Sequence, residues 1–241
     1  MLLYANFVET ETSWTHIQAL QYVMETFGIP FRYYVDNLRV FRFVQHRDSV
    51  WQKIVLGTDD VKTQWQQTLD LMKTEAVFAL SPQAKGKIER PYRWLQDRIV
   101  RACALEHISS MQDARSILLE EVHQYNYHHI HSTTREIPAF RFDKARSQNR
   151  SLFRPFAVPE PYSLPKDVFC IRRSRVADGY RRVSIANHTF QLPSILPRDD
   201  VEIHFVPDEF LNHVELRFWV DAKLVFTTFL PIEAVKREVH F

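Results

Sequence analysis

Residues 76–102 read AVFALSPQAKGKIERPYRWLQDRIVRA, an apolar segment followed by a turn and a helical repeat. The apolar run over 76–80 predicts a short buried strand, and Pro82 and Gly86 mark the turn after it. Beyond the turn, apolar residues recur at steps of four and three: Ile88, Tyr92, Leu95, Ile99 and Ala102. That spacing predicts one side of a long helix. A buried strand that leads into such a helix is typical of α/β proteins.

The chain on either side of this stretch alternates strands and helices in the same way. We predict strands over 1–8 and 31–36, and helices over 12–27, 61–72 and 111–126. In the last of these helices, the residues predicted to face inward are Ala114, Ile117, Leu118, Val122 and Tyr125. The alternation predicts an α/β domain with parallel strand pairing, which we place at residues 1–145.

The second half of the chain has a different pattern. Four prolines mark a stiff, extended linker over 146–166: Pro155, Pro159, Pro161 and Pro165. After it, short segments with alternating apolar residues are separated by turn pairs such as Asp178-Gly179 and Asp221-Ala222. This pattern predicts a small all-β barrel, or a sandwich, over 167–241. The predicted fold is therefore an α/β domain followed by a small all-β barrel.

The composition excludes several classes of protein. Of the 241 residues, 45% are hydrophobic, which indicates folded structure rather than disorder. The chain has no apolar run of the roughly 18 residues that a membrane-spanning helix needs, and its first residues lack the basic segment of a signal peptide. Two cysteines, Cys103 and Cys170, indicate a reducing compartment without structural disulfides. We therefore expect a cytoplasmic protein without a membrane partner.

Positive charge is concentrated in two regions, although the net charge is only +2. Residues 135–182 contain twelve Lys or Arg against five acids, and residues 81–101 contain six against two. Such clustering favours a polyanion as partner. The alternative is ordinary solvated surface charge that neighbouring acids balance.

Five arginines flank the Asp178-Gly179 turn: Arg172, Arg173, Arg175, Arg181 and Arg182. On a β-hairpin they would form a basic ridge, with Tyr180 as a stacking ring, and would contact phosphates in a salt-dependent way. The alternative is a charged hairpin edge that protects the sheet against aggregation.

Two carboxylates stand where a divalent cation could bind. Asp36 ends the strand predicted over 31–36, and Glu89 lies early in the helix that follows the next strand. Ligands bind at the carboxyl ends of strands in open α/β sheets, and Mg²⁺ needs few protein carboxylates. Two such ions about 3.5–4 Å apart support phosphodiester chemistry. The alternative is an Asp-Asn turn and an exposed ion pair between Glu89 and Arg93, four residues apart.

Three segments resemble the catalytic core of the DDE transposases and integrases of bacterial insertion sequences. They are YVDN at 34–37, PQAKGKIE at 82–89 and YNYHHIHSTTREIP at 125–138. The resemblance implies an RNase H-like fold, with Asp36 as the second catalytic Asp and Glu89 as the catalytic Glu. The family cuts the ends of its element and joins them to target DNA, and its members are commonly oligomers.

The resemblance also implies a cofactor and DNA contacts. Two Mg²⁺ (or Mn²⁺) ions would bind between the three carboxylates of the complete family core. Residues in the turn and the first turns of the helix would hold DNA near those ions: Gln83, Lys85, Lys87 and Arg93. We expect a cytoplasmic protein associated with the nucleoid. A small β-domain after the core is also common in such transposases.

Three departures from the family pattern bear on activity. By the resemblance, Met1 begins on the third strand of the sheet, so we expect an N-terminally truncated core without the first catalytic Asp. Leu38 occupies the position of the usual glycine, and the interval from Asp36 to Glu89 is longer than in retroviral integrases, with residues 38–60 resembling an insertion. Pro91 also falls inside the predicted helix, where it removes one hydrogen bond. We therefore expect that this chain does not transfer DNA strands by itself.

Other functions remain open. The chain could be a non-catalytic module for DNA binding or assembly that derives from a transposase, or, with less support, an RNase H-like nuclease of DNA repair. Four histidines invite a zinc site: His123, His128, His129 and His131. The chain has no cysteine near them in sequence, and zinc sites need three or four converging ligands, so we interpret them as polar groups at a helix end.

Overall fold

The computed structural model describes residues 1–36, 38, 40–41, 62–79, 82–239 and 241, with the side chains of 82–85, 87, 88, 90 and 91 excepted. Its helices are α1 (Ser13–Phe27), α2 (Gln64–Leu71), α3 (Pro82–Leu105), α4 (Met111–Tyr127), α5 (Pro138–Ser147), α6 (Pro165–Val168) and α7 (Ile232–Val235). Its strands are β1 (Ile29–Pro30), β2 (Arg32–Val35), β3 (Glu75–Phe78), β4 (Phe153–Arg154), β5 (Ile171–Val176), β6 (Arg182–Ile185), β7 (His188–Gln191), β8 (Asp200–Asp208), β9 (His213–Val220) and β10 (Lys223–Pro231).

The chain divides into two compact units that are each discontinuous in sequence. The first comprises residues 1–10, 22–38 and 74–156, and the second comprises 11–21, 39–73 and 157–241. The domain boundaries expected from the sequence, at 145 and 166, stay a prediction. In the described part of the chain, no helix is both long and apolar enough to cross a bilayer.

Helix α1 confirms the helix predicted over 12–27, and the apolar residues of the predicted pattern are buried. Ile17 and Met24 are fully buried and Leu20 is nearly so, because steps of three and four residues place them on one side of the helix. Gly28 ends the helix with φ +102°, and its amide donates to the Met24 carbonyl. A side chain at this position would be strained, so the glycine sets the end of α1.

Strands β2 and β3 pair in parallel, which confirms the pairing expected for this part of the chain. The register runs from Arg32 opposite Glu75 to Val35 opposite Phe78. One further hydrogen bond, from the Ala79 amide to the Val35 carbonyl at 2.8 Å, extends the pairing beyond the last residue of β3. Parallel strands need a crossover, and α2 lies within the one between β2 and β3.

Helices α3 and α4 confirm most of the predicted spans and inward faces. Ile117, Leu118 and Tyr125 of α4 are buried. In α3, Ile99 is buried but Tyr92 is 69% exposed, so the described members of the predicted apolar stripe are not all buried. Helix α3 continues through position 91, where its proline was expected to disturb it.

The strand predicted over residues 1–8 is wrong, because this segment joins no sheet in the structure. Its backbone is bound instead by side chains of α4. Asn126 contacts both polar backbone groups of Leu2, and Arg115 Nη2 donates to the Phe7 carbonyl at 3.1 Å. The apolar residues over 1–8 therefore belong to a segment whose backbone is hydrogen-bonded to side chains of α4, not to a strand.

The predicted closed β-barrel is also wrong. The described residues of the second unit form an open, four-stranded antiparallel sheet in the order β10-β9-β8-β5, and β6 and β7 form a separate two-stranded sheet. Strands β8, β9 and β10 are consecutive, and Asp221 and Ala222 both have positive φ in the tight turn between the last two. The core of this sheet contains Phe205, Leu216 and Phe218.

The predicted hairpin at Asp178-Gly179 is not formed either. Strand β5 pairs with β8, from Ile171 opposite Phe205 to Val176 opposite Asp200, whereas β6 pairs with β7. The residues between β5 and β6 make a local turn, in which the Asp178 amide donates to the Arg182 carbonyl. Arg172, Arg173 and Arg175 therefore lie on β5, whereas Arg182 begins β6 of the other sheet and Arg181 lies in the turn before it.

Candidate functional site

Asp36 lies directly after the last residue of β2, and its side chain is half-buried. Val35 before it is buried and accepts the hydrogen bond from Ala79 that closes the β2–β3 pairing. Asp36 Oδ1 accepts a hydrogen bond from the Leu38 amide at 3.1 Å, the geometry of a side-chain turn. Asp36 thus stands at the carboxyl end of a parallel strand, where it was expected.

Glu89 is exposed and lies eight residues into α3, counting Pro82 as the first. Because β2 and β3 are parallel, their carboxyl ends lie at the same edge of the sheet, and α3 begins shortly after β3. The fold therefore brings Asp36 and the start of α3 to one edge. Glu89 is about two turns, or roughly 10 Å, further along the helix axis. That the two carboxylates meet at one cation stays a prediction.

The donor chemistry of this edge suits a hard divalent cation. Carboxylate oxygens are the ligands that Mg²⁺ and Mn²⁺ accept, and Mg²⁺ commonly binds one or two carboxylates together with water and substrate phosphates. Among the described residues, no three or more His, Cys, Asp or Glu side chains come together as a metal-binding group.

The predicted DNA contacts on α3 are only partly described. The side chains of Gln83, Lys85 and Lys87 lie outside the described residues, and Arg93 is exposed. Further along the helix, two arginines are paired with acids. Arg98 Nε lies 2.5 Å from Glu121 Oε2 and Arg101 Nη2 lies 3.0 Å from Asp97 Oδ1.

Arg172 is buried in the second unit, at 7% exposure. Its Nη2 donates to the carbonyls of Asp167 and Val168 at 2.7 and 2.8 Å. Its backbone is bound by the Gln64 side chain, which accepts from the Arg172 amide at 2.7 Å and donates to its carbonyl at 3.0 Å. A guanidinium held in this way adds little positive charge to the surface.

The other four arginines of this cluster differ in their contacts. Arg173 and Arg175 both donate to Glu238, the first to its carbonyl and the second to its carboxylate at 2.7 Å. Burial lowers the pKa of Arg173, with a further contribution from nearby Arg175. Arg182 pairs with Asp178 at 2.9 Å and lies over the Tyr180 ring, 4.9 Å from its centroid.

Arg181 is exposed and has φ +60°, and its Nη1 donates to the Pro193 carbonyl at 2.9 Å. Arg181 and Arg182 are thus the members at the β5–β6 turn. DNA binding by the five arginines stays a prediction.

The histidines at the end of α4 pack against aromatic rings. The His129 ring stacks on Tyr125, with centroids 5.3 Å apart and planes inclined by 20°, and lies 5.5 Å from the Trp94 ring. His123 lies beside Tyr127. His131 Nδ1 accepts from the Thr133 amide at 3.3 Å. These contacts agree with the interpretation of polar groups at a helix end.

Sequence reasoning missed a buried ionic network in the second unit. Arg217 Nε lies 2.5 Å from Asp167 Oδ1, and Arg217 Nη1 lies 2.8 Å from Glu215 Oε1. All three residues are at most 9% exposed, and Lys166 Nζ approaches Glu215 at 2.6 Å. The signal in the sequence was the spacing of Glu215 and Arg217 on β9, because residues two apart on a strand share a face.

The sequence of the chain was compared with those of known proteins and protein families. The chain matches no known protein-family model. It is 32% identical over 174 residues to a protein of Sinorhizobium fredii (strain NBRC 101917 / NGR234) named "Putative transposase y4bF". The aligned part covers 72% of this chain and 33% of that protein, so the chain spans about a third of its relative's length. In sequence, the chain is therefore similar to one part of a protein that carries the name of a transposase.

Proposed function

We propose that this chain takes part in DNA transposition, as the part of a transposase that brings two carboxylates and a basic surface to DNA. The similarity to the Sinorhizobium fredii protein supports the general function. The structural observation that carries the proposal is the parallel β2–β3 pairing, which the hydrogen bond from Ala79 extends to the residue before Asp36. The α/β part of the chain would then be an RNase H-like integrase core.

The proposed roles follow from the chemistry of the side chains. Asp36 and Glu89 supply carboxylate oxygens to Mg²⁺ or Mn²⁺, which when bound would neutralise phosphate charge and lower the pKa of a coordinated water or hydroxyl. The basic residues of α3 supply the phosphate contacts that keep DNA at this edge of the sheet: Lys85, Lys87 and Arg93, with Gln83 as a polar contact. Such contacts fix the position of DNA without reading its sequence.

Two carboxylates are fewer than strand transfer needs in the family that the sequence resembles. The proposal for this chain is therefore that it binds DNA and a divalent cation through Asp36 and Glu89. The second candidate, a non-catalytic module for DNA binding or assembly, is favoured by the lack of a three-member metal-binding group among the described residues. Self-association and association with the nucleoid are part of both proposals.

Cation binding tests the assignment of the two carboxylates. Mn²⁺ binding to the chain would be measured by electron paramagnetic resonance, with and without a short DNA duplex. We expect the Asp36→Asn, Glu89→Gln double variant to bind Mn²⁺ at least about tenfold more weakly, because a metal-ligand site loses both anionic ligands. The control is Asp97→Asn on the same helix, which removes an exposed carboxylate paired with Arg101.

The outcomes separate the candidates. Equal Mn²⁺ binding by the double variant and the control would refute the proposed cation site. Strand-transfer product that disappears in Glu89→Ala would refute the non-catalytic candidate and support a complete enzyme. A chain with no affinity for duplex DNA at low salt would refute both candidates.

A further inference from the structure

A cluster of accessible positive charge in the first unit lies on α5 and in the turn after it. Residues 135–154 contain six basic residues and two acids. Three of the basic side chains line one surface cavity of about 370 Å³, together with Glu136 and Ala145: Arg141, Lys144 and Arg150. We call these three residues the α5 cation cluster.

The backbone explains how the three cations converge. Arg141 and Lys144 are three residues apart on α5 and therefore share a side of the helix. After the helix, Asn149 adopts φ +52°, a left-handed conformation that reverses the chain. The Arg150 amide then donates to the Ala145 carbonyl at 2.8 Å, which returns Arg150 to the cavity.

The charges in the cavity do not balance. Among the residues that line it, Glu136 is the single acid, and its two oxygens lie 2.7 Å from Arg141 Nη1 and 3.5 Å from Lys144 Nζ. Hydrogen bonding to Arg141 lowers the pKa of the Glu136 carboxyl, so the group is ionised. Arg150 donates to Gln148 Oε1, a neutral acceptor. One carboxylate against three cations leaves a net charge of +2 among the lining residues.

Helix stability does not account for this arrangement. Cations in the last turn of a helix interact favourably with its dipole, and this covers Lys144. Arg141, however, lies in the first turn, where the dipole disfavours a cation, and Arg150 lies beyond the helix. The side chains of Arg141 and Lys144 are 58% and 57% exposed, whereas Arg172 is 7% exposed. The cluster is thus open to a ligand from solution.

We propose that the α5 cation cluster binds the phosphate backbone of duplex DNA. The proposal rests on the proposed function for the identity of the polyanion. Guanidinium and ammonium groups that line a cavity offer several N–H donors to phosphate oxygens, and the contact carries no sequence information. The cluster therefore contributes affinity and orientation of the DNA, in addition to the residues on α3.

A charge-neutralisation experiment tests the cluster in the full chain. The binding constant for a labelled duplex would be measured by fluorescence anisotropy between about 50 and 200 mM salt, for the parent and for the Lys144→Gln, Arg150→Gln double variant. Each lost phosphate contact lowers the slope of log K against log salt by about 0.9, so the double variant should have a slope smaller by about 2. The matched control is Arg198→Gln, Lys223→Gln, which removes two exposed cations of the second unit.

A substitution of opposite sign provides a second readout. Glu136→Gln removes the acid of the cavity and should strengthen binding to the duplex, because the charge of the lining residues rises from +2 to +3. Circular dichroism of each variant would verify folding. If the double variant does not fold, the single exposed substitution Lys144→Gln should still lower the slope by about 1.

The results distinguish this inference from the proposed function. A double variant with the same slope as the control would overturn the inference, while DNA binding by the parent would leave the proposed function standing. A parent chain that does not bind duplex DNA would overturn both. Weakened binding to one duplex sequence but not to an unrelated one would overturn the assignment to the phosphate backbone.

Discussion

Asn126 of α4 holds Leu2 by both polar groups of its backbone. Its Oδ1 accepts from the Leu2 amide at 2.7 Å, and its Nδ2 donates to the Leu2 carbonyl at 2.8 Å. Asn126 is buried, at 5% exposure. Its side-chain amide satisfies the backbone N–H and C=O of Leu2, as the backbone of a neighbouring strand would in a sheet. The N-terminal segment is thereby attached to a helix.

The first prediction concerns this attachment. Asn126→Ala removes two hydrogen bonds and should lower the free energy of unfolding by about 2 kcal/mol, at roughly 1 kcal/mol for each bond. The measurement is urea denaturation followed by circular dichroism. Gln124→Ala, at an exposed position of the same helix, is the control and should change stability by less than about 0.5 kcal/mol. Equal stability of the two variants would show that Asn126 does not anchor the segment.

The second prediction concerns Gly28, whose φ of +102° ends α1. A Cβ at this position would lie 2.5 Å from the Arg154 carbonyl oxygen, in the short β1–β4 pairing. Gly28→Ala should therefore lower the free energy of unfolding by about 2 kcal/mol or more, through the disfavoured backbone conformation and the clash.

Gly86→Ala is a control of opposite sign for this prediction. Gly86 lies inside α3. Among the described atoms, leaving aside its two chain neighbours and the adjacent helix backbone, none lies within 4 Å of the position that an added methyl group would take. Alanine there should raise the free energy of unfolding by about 0.5–1 kcal/mol. Urea denaturation measures both variants, and a Gly28→Ala protein as stable as the parent would contradict the strain assigned to this position.

The third prediction concerns the buried Arg217–Asp167 ion pair. Arg217→Met leaves Asp167 and Glu215 buried without this partner, and the loss should be about 3–5 kcal/mol. The same substitution at Arg101 breaks an exposed pair with Asp97 and should cost less than about 1 kcal/mol. Urea denaturation of both variants measures the difference. A similar cost at the two positions would mean that burial does not set the strength of this network.

The fourth prediction concerns the pH dependence of stability at His204 and Glu202. The His204 Nε2 atom lies 2.5 Å from Glu202 Oε1, and its ring stacks on Trp219. Burial lowers the pKa of His204 below 6.5, and the hydrogen bond to His204 lowers the pKa of Glu202 below 4.5. Arg172, 3.6 Å from Glu202, acts in the same direction on both groups.

The sign of the effect follows from these two shifts. When the pKa is lower in the folded state, the unfolded chain binds more protons, so stability is complete above the unfolded pKa and is lost as the pH falls through the folded one. The free energy of unfolding should thus decrease below about pH 6.5, by at most about 1.4 kcal/mol per pH unit from His204, and again below about pH 4.5 from Glu202. His204→Gln should remove the first decrease, whereas His188→Gln at an exposed position should keep it. An unchanged pH profile in His204→Gln would contradict this assignment.

The sequence predicted those elements that have a clear pattern of apolar residues along the chain. Helix α1 could be predicted because Ile17 and Met24 repeat at helical spacing, and the β2–β3 pairing because a helix between two apolar segments favours a parallel crossover. The β1–β4 pair was missed, since Ile29 and Phe153 lie far apart in sequence and only two residues of each strand take part. Residues 1–8 were assigned to a strand because apolar composition does not reveal that Asn126 supplies the backbone partner.

The candidate site was predicted to a similar extent. The position of Asp36 at a strand end follows from a short apolar run, and the structure places it there. The burial of Arg172 could not be predicted. Several arginines close in sequence do not reveal which guanidinium is buried against backbone carbonyls. Convergence of Arg141 with Arg150 depends on the left-handed Asn149, and sequence gives asparagine only a preference for that conformation.

The sheet of the second unit also has a consequence for the order of its assembly. Strands β8, β9 and β10 are joined by short turns, so their contacts close small loops and lose little chain entropy. Strand β5 must close the much longer loop over 177–199 before it can pair with β8. Nucleation should accordingly begin in the three-stranded meander at the carboxyl end of the chain, with the strand that carries Arg172 docking afterwards.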